Sequence, residues 1–361
     1  MTPTSVRMPL VSAVGVGKEF INAESFLSRR LGGVGTRRTL AVDGVDLDIY
    51  AGRTVGLVGE SGCGKSTFGR TLVGLTEPTS GQVFYDRLPV WGANRLSRAD
   101  LKHRAQMIFQ NPYSSLNPRY TLRHTIGAAL SARGIRAGDR ERETRSLIMR
   151  VGLTPGHLDR YPHQLSGGQR RRVGIARALA MRPQFIVADE PLSSLDVSVQ
   201  AQIITLLQDL QREYGLSYLL ISHDLRVVYY MSDTVAVMYR GQIVESASAD
   251  LLFSQPLHPY TQELLSAIPG SGHRLSRRRS RQIRASDVER GSRGPVADAA
   301  RAPTPLGCRY AHRCPAATGE CVSEPPVLAL LSEYSESSPH LVRCHNPMPP
   351  SAGMEGRCLL G

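Results

Sequence analysis

Residues 54–67 read Thr-Val-Gly-Leu-Val-Gly-Glu-Ser-Gly-Cys-Gly-Lys-Ser-Thr. This stretch constrains the fold more than any other in the chain. Thr54–Val58 is a short β-branched and apolar run that suits a buried strand, and a helical pattern follows through Leu75. Between them stands G-x-x-x-x-G-K-S, a glycine-rich turn feeding a helix, the context that makes the motif a phosphate loop. The glycines let the backbone curl so that successive N–H groups point inward at phosphate oxygens. The helix N-terminus adds its positive dipole end. Gly59, Ser61, Gly62, Cys63, Gly64, Lys65, Ser66 and Thr67 therefore form the expected cradle. Lys65 reaches the β- and γ-phosphates and the Ser66 hydroxyl ligates Mg²⁺. Only three lysines occur (Lys18, Lys65, Lys102) in a chain whose 44 basic residues are otherwise arginine, so a lysine at this position stands out. Cys63 contributes its backbone to the loop, not its thiol.

The class of nucleotide enzyme depends on what accompanies the loop. Phe185–Ala188 is a second apolar strand and ends in Asp189-Glu190. An acid at the carboxyl end of a buried strand orients the water shell of Mg²⁺, which assigns Asp189; a second acid beside it polarises the attacking water, which assigns Glu190. The coarse plan is α/β.

Between these two motifs lies Leu165-Ser166-Gly167-Gly168-Gln169, opening a basic amphipathic helix. This resembles the signature of ATP-binding cassette (ABC) ATPases. Gln110 in MIFQNPYSSLNP matches the Q-loop, Ser194-Leu195-Asp196 the D-loop, and His223 in LLISHDL the switch histidine. Phe20 fits the aromatic that stacks on adenine, with Phe26 nearby. The resemblance implies a P-loop NTPase core with an antiparallel β subdomain and a helical signature subdomain. It implies that two subunits pack head to tail around two ATPs, each signature meeting the ATP on its partner's phosphate loop. Gln110 would join Ser66 and Asp189 at Mg²⁺. Glu190, His223 and Gln110 would act at the γ-phosphate.

A narrower resemblance lies in the joins. NPYSSLNPR, DEPLSSLDVSVQAQIITLLQDLQ, SHDLRVV and PLHPYTQELLSAIP look like the ATPase subunits of oligopeptide/dipeptide-type importers. That likeness implies a second cassette subunit as partner, a paralogue in a heterodimer, plus two membrane permeases and, indirectly, an extracytoplasmic solute-binding protein. It places the chain at the cytoplasmic face of the cell membrane. The expected domains are a cassette at 8–255, with its helical part about 111–180, and an importer-type extension at 256–270. An Arg-rich linker at 271–303 and a Cys-rich region at 304–348 follow. The last is expected as a small appendage.

Charge and hydropathy agree. No apolar run approaches the eighteen or so residues that cross a bilayer, and the N-terminus reads as a first strand. The net charge is +13, and residues 271–301 hold nine Arg against three acids without helical period, the pattern of a solvated tether. A contact of this segment with nucleic acid or anionic lipid is the competing use, and a soluble cassette ATPase acting on nucleic acid or ribosomes is the alternative function. The importer-type extension argues against it, and no nucleic-acid partner is expected.

Cys308, Cys314, Cys321 and Cys344 remain. A reducing compartment disfavours disulfides. Zinc sites favour thiols two to four residues apart, and these spacings are longer. An iron–sulfur cube also takes four thiolates, and Cys314-Pro315 echoes a step found in cluster loops. With little apolar content of its own, the region is expected to draw folding energy from a metal. The importer tails that it resembles are associated with a [4Fe–4S] cluster; zinc, with His312 or His345 as substitute ligands, is the alternative.

Overall fold

The computed structural model describes residues 8–22, 37–111, 115–268, 306–331 and 339–348. The Arg-rich linker, Phe26 and Pro112–Ser114 lie outside the described residues. The chain divides into two compact units, one of residues 1–16, 46–56 and 66–223, the other of residues 17–45, 57–65 and 224–361.

In the first unit the strands run in the order β3-β8-β7-β6: β3 is Thr54–Val58, β6 Ala105–Ile108, β7 Phe185–Asp189 and β8 Ser217–Ile221. The β6–β7 and β7–β8 pairs are parallel. Every residue of β3, β7 and β8 is buried, as parallel strands covered on both faces require. The strand at Thr54–Val58 is the one expected, and β7 extends the expected one by Asp189. Helix α1 (Lys65–Leu72) follows the phosphate loop. A Cβ on its Gly69 would come 2.9 Å from Val187 and 3.0 Å from Ile221, so glycine sets how closely the helix lies on the strands.

Also here are α2 (Arg98–Arg104), α3 (Leu122–Ala132), α4 (Ala137–Arg150), α5 (Gly167–Ala180) and α6 (Val197–Tyr214). The helices α3, α4 and α5 pack on one another. Leu122, Ile126 and Leu130 recur at helical spacing and are fully buried. The order β1-β4-β5 comprises β1 (Val11–Asn22), β4 (Ser80–Tyr85) and β5 (Leu88–Pro89). Of the antiparallel β subdomain expected, the β4–β5 pair is antiparallel.

The second unit takes up the later part of β1 and most of β2 (Arg37–Ile49). Its other strands run in the order β11-β12-β10-β9, with β9 at Thr234–Tyr239, β10 at Gln242–Ser248, β11 at Ala329–Leu330 and β12 at Leu341–Val342. Strands β9 and β10 form an antiparallel hairpin that turns at Arg240-Gly241, with Arg240 at φ +43° and Gly241 at +85°. Its helices are α7 (Leu225–Met231), α8 (Ala249–Ser254), α9 (Pro259–Ser266) and α10 (Gly319–Ser323).

The Cys-rich region is not the separate appendage expected. Strand β12 pairs antiparallel with β10, at Glu245↔Val342 and Ser246↔Leu341. Tyr310, Arg309 and His340 are buried. Tyr310 stands among Tyr239, Tyr260 and His258, with ring centroids 5.3, 5.5 and 5.7 Å away. Arg309 pairs with Asp43 and donates to the Arg240 carbonyl. The expectation counted the apolar residues within the region and missed that its aromatic and cationic side chains have partners elsewhere in the unit.

Candidate nucleotide site

The phosphate loop belongs to the second unit as far as Lys65. Gly59, Gly62 and Gly64 have φ of +150°, +79° and +110°. A Cβ on Gly59 would lie 2.1 Å from the Met238 carbonyl oxygen, and one on Gly64 2.1 Å from that of Ala41. Neither contact is with a flexible side chain, so only glycine fits. The loop is tied from behind, with the Gly241 N–H donating to the Cys63 carbonyl at 2.8 Å. Lys65 is buried; its ammonium donates to the carbonyls of Gly59 (2.8 Å) and Glu60 (2.9 Å). Burial pushes the Cys63 thiol up in pKa against the Lys65 charge, which favours the neutral thiol. Ser61 and Gly62 are exposed at the rim of the loop, and Thr67 lies in the first turn of α1. Phe20 on β1 is 39% exposed, with the Lys18 ammonium 5.4 Å from its ring centroid.

The first unit holds the acids. Ser66, one peptide beyond Lys65, donates to Asp189 Oδ1 at 2.9 Å, and Asp189 is buried. The serine hydroxyl and carboxylate expected around Mg²⁺ are thus adjacent. Glu190 has φ +48°, which an L-residue adopts only when its surroundings enforce it. Its N–H donates to the Ile221 carbonyl at 2.9 Å, and its Oε2 lies 2.7 Å from His223 Nδ1. The Glu190 side chain is 12% exposed and that of His223 71%, a sheltered carboxylate beside an accessible imidazole.

Gln110 is exposed. Its carbonyl and that of Phe109 accept from the Arg171 guanidinium at 2.8 and 2.5 Å, and the Glu190 carbonyl lies 3.3 Å from the same group. Arg171 thus clamps the segments bearing Gln110 and Glu190 onto the signature helix. Sequence reasoning missed it, because Arg171 read only as one of several cations on a basic amphipathic helix, while it is 2% exposed.

The signature is a reciprocal cap. Ser166 Oγ accepts from the Gln169 N–H at 3.2 Å, and Gln169 Oε1 accepts from the Ser166 N–H at 3.0 Å. A Cβ on Gly168 would come 2.7 Å from Val199, whereas one on Gly167 meets Leu195 at an ordinary 3.6 Å. Asp196 is the exposed N-cap residue of α6 and makes no side-chain capping bond.

Cys308, Cys314, Cys321 and Cys344 are free thiols. Among the described residues no group of three or more His, Cys, Asp or Glu side chains is arranged to hold a metal ion, so the expected cluster site is not drawn as a ligand set. The thiols nonetheless lie within electrostatic reach. Burial raises the pKa of Cys308, Cys314 and Cys344, that of Cys344 to about 12, and neighbouring sulfurs push the same way. Backbone N–H groups of Tyr310 and Ala311 face Cys308, that of Ala316 faces Cys314, and that of Asn346 faces Cys344. The two candidate substitute ligands are engaged elsewhere: His345 Nε2 bonds the Glu324 carbonyl at 3.0 Å, and His312 Nε2 lies 3.5 Å from Arg240.

Comparison with known proteins agrees with this geometry. Residues 42–193 match the family described as "ABC transporter". A dimeric structure of the ATP-binding cassette MJ0796 bound to ADP and Pi superimposes with a TM-score of 0.57 at 27% identity, covering 66% of this chain and 98% of that one. The chain belongs to the ABC transporter family as an ATP-binding cassette ATPase. Residues 244–321 match a second description, "Oligopeptide/dipeptide transporter, C-terminal region". The chain is 42% identical over 333 residues to the oligopeptide transport ATP-binding protein AppF of Bacillus subtilis (91% of this chain, 95% of the relative). It is 52% identical over 245 residues to the OppF protein of the same organism (67% and 80%). No helix among the described residues is long and apolar enough to cross a membrane.

Proposed function

We propose that this ATPase is the energy-coupling subunit of a peptide importer, working at the cytoplasmic face of the cell membrane beside two permease subunits. It would pair head to tail with a second cassette, a paralogue, and serve an extracytoplasmic solute-binding protein through the permeases. The observation that carries this reading is the conjunction of the two pairs Ser66–Asp189 and Glu190–His223 with an oligopeptide-type C-terminal region in one chain.

Lys65 and the loop N–H groups bind the β- and γ-phosphates, and Ser66, Asp189 and Gln110 would hold Mg²⁺. A cation held by these residues would supply positive charge against the phosphates. Glu190 orients the attacking water and accepts its proton, and its strained backbone and shelter fix the carboxylate. His223 bonds Glu190 through Nδ1 and keeps that side chain aimed. Phe20 offers its exposed ring to adenine. Ser166, Gly167, Gly168 and Gln169, with Asp196, face the partner's nucleotide. Glu190→Gln keeps the hydrogen bond to His223 and loses the base. ATP then binds with wild-type affinity while turnover falls by roughly 10²–10³-fold, about the share assigned to general-base catalysis. Turnover near the wild-type rate would remove Glu190 from its role. ATP-dependent retention of the chain by its two permeases in mild detergent tests the importer reading, and salt-sensitive RNA binding in their place would favour the alternative.

The cysteine loop is read as a [4Fe–4S] site formed on loading. Four thiols within electrostatic reach and N–H groups directed at three of them suit thiolate ligation. Iron and sulfide in the anaerobically purified full chain, lost in Cys314→Ser, is the expected result. Stoichiometric zinc without iron would replace that reading.

A further inference from the structure

Glu60 is the first residue after Gly59 in the phosphate loop. Its carboxylate is 46% exposed and stands on a loop that must receive a polyanion. A negative charge there opposes binding. Its Oε1 accepts from Arg313 Nη1 at 2.9 Å. Arg313 lies one residue before Cys314 in the cysteine loop. Its other terminal nitrogen donates to Glu263 Oε1 at 2.7 Å, and Glu263 Oε2 accepts from the Tyr310 hydroxyl at 2.6 Å. The Glu60 N–H is committed to the Tyr260 hydroxyl at 2.9 Å, and the Tyr239, Tyr260 and Tyr310 rings hold the whole array from beneath. All these groups belong to the second unit. Burial works against the Arg313 charge, but its bonds to Glu263 and Glu60 prevail and hold the guanidinium protonated.

The geometry points to Arg313 as a positioning residue for nucleotide binding: it neutralises the Glu60 carboxylate on the phosphate loop and couples ATP affinity to the cysteine loop. This rests on reading the phosphate loop as the ATP site. The guanidinium touches no reacting atom. It sets the charge of the loop and, through Glu263 and Tyr310, makes that charge depend on how the cysteine loop is seated. A structural brace alone would need no carboxylate on the phosphate loop.

The test is equilibrium binding of Mg-ATP to the purified full chain, with the KM and kcat of ATP hydrolysis measured alongside. Wild-type binding comes first, because a chain that binds no ATP fails the ATPase reading itself, and the proposal falls with it. Arg313→Gln is expected to weaken ATP binding by roughly five- to tenfold, raise KM by a similar factor and leave kcat within about twofold, with the loss enlarged at low salt. Arg313→Lys, which keeps the charge, should recover most of the affinity. Glu60→Gln combined with Arg313→Gln should return it to within about twofold of wild type, the non-additivity expected of a direct pair. Thermal unfolding of each variant accompanies the binding data, and Glu60→Gln alone, which removes no cation from the cysteine loop, keeps the test open should Arg313→Gln fold poorly: it should bind ATP at least as tightly as wild type. Unchanged affinity in Arg313→Gln, a loss that Glu60→Gln does not repair, or weaker binding by Glu60→Gln alone would each overturn the proposal.

Discussion

The phosphate loop and the cysteine loop are neighbours in the second unit, joined where Arg313 meets Glu60. They are held in opposite ways. The phosphate loop is shaped from inside, by glycines at positive φ whose Cβ positions are filled by the carbonyls of Ala41 and Met238. The cysteine loop is shaped from outside. Arg309 reaches Asp43 and Arg240, Tyr310 enters an aromatic cluster, and Arg313 spans Glu60 and Glu263. A loop shaped by its own backbone announces itself in a short motif, whereas one shaped by distant partners does not.

The sharpest way to break this comparison is Gly64→Ala. The new methyl would meet the Ala41 carbonyl at 2.1 Å from a residue at φ +110°. We expect a loss of about 4 kcal/mol in stability together with loss of ATP binding, by thermal unfolding and nucleotide titration. Retained ATP binding would mean that the loop is not shaped by its glycines.

The outside support has a pH signature. His258, whose Nδ1 caps α9, is held neutral by burial with its pKa lowered from 6.5 to about 4, against the pull of Glu245. Its folded pKa lies below the unfolded one, so this stability is present above pH 6.5 and is lost as pH falls from 6.5 to 4. Each unit of pKa is about 1.4 kcal/mol, so the loss is roughly 3–4 kcal/mol. Urea titrations across that window should show it, and His258→Asn, which keeps a capping oxygen, should flatten it. An unchanged slope in His258→Asn would assign the pH dependence elsewhere.

Arg309→Ala removes a buried cation with two partners, and we expect a loss of about 2 kcal/mol in chemical denaturation. A change below about half that value would mean that packing, not charge, seats the cysteine loop. The smallest effect sharpens the same point. Tyr310→Phe deletes one hydrogen bond to Glu263 and keeps the ring among its aromatic neighbours, so about 1 kcal/mol should be lost with ATP affinity within about twofold of wild type.

Much of the first unit was legible in the sequence. Thr54–Val58, the strand ending at Asp189 and the helix opened by Ser166-Gly167-Gly168 follow from periodicity and glycine placement, both local. Arg171 was not legible, because a buried arginine and a solvated one look alike in a basic run. The strand pairing of Glu245 with Val342 was not legible either. Two-residue strands carry no pattern, and their partners lie nearly a hundred positions away.

By itself the sequence determined that a glycine-rich turn joins a buried strand to a helix, that two acids end a second strand and that the signature opens a helix, because each rests on a pattern of residues adjacent in the chain. Tertiary structure alone decided that Ser66 meets Asp189, that Glu190 leans on His223, and that an arginine beside Cys314 lies against Glu60 of the phosphate loop. Those contacts join residues 33 to 253 positions apart, and only the packed chain brings such charges within reach of one another.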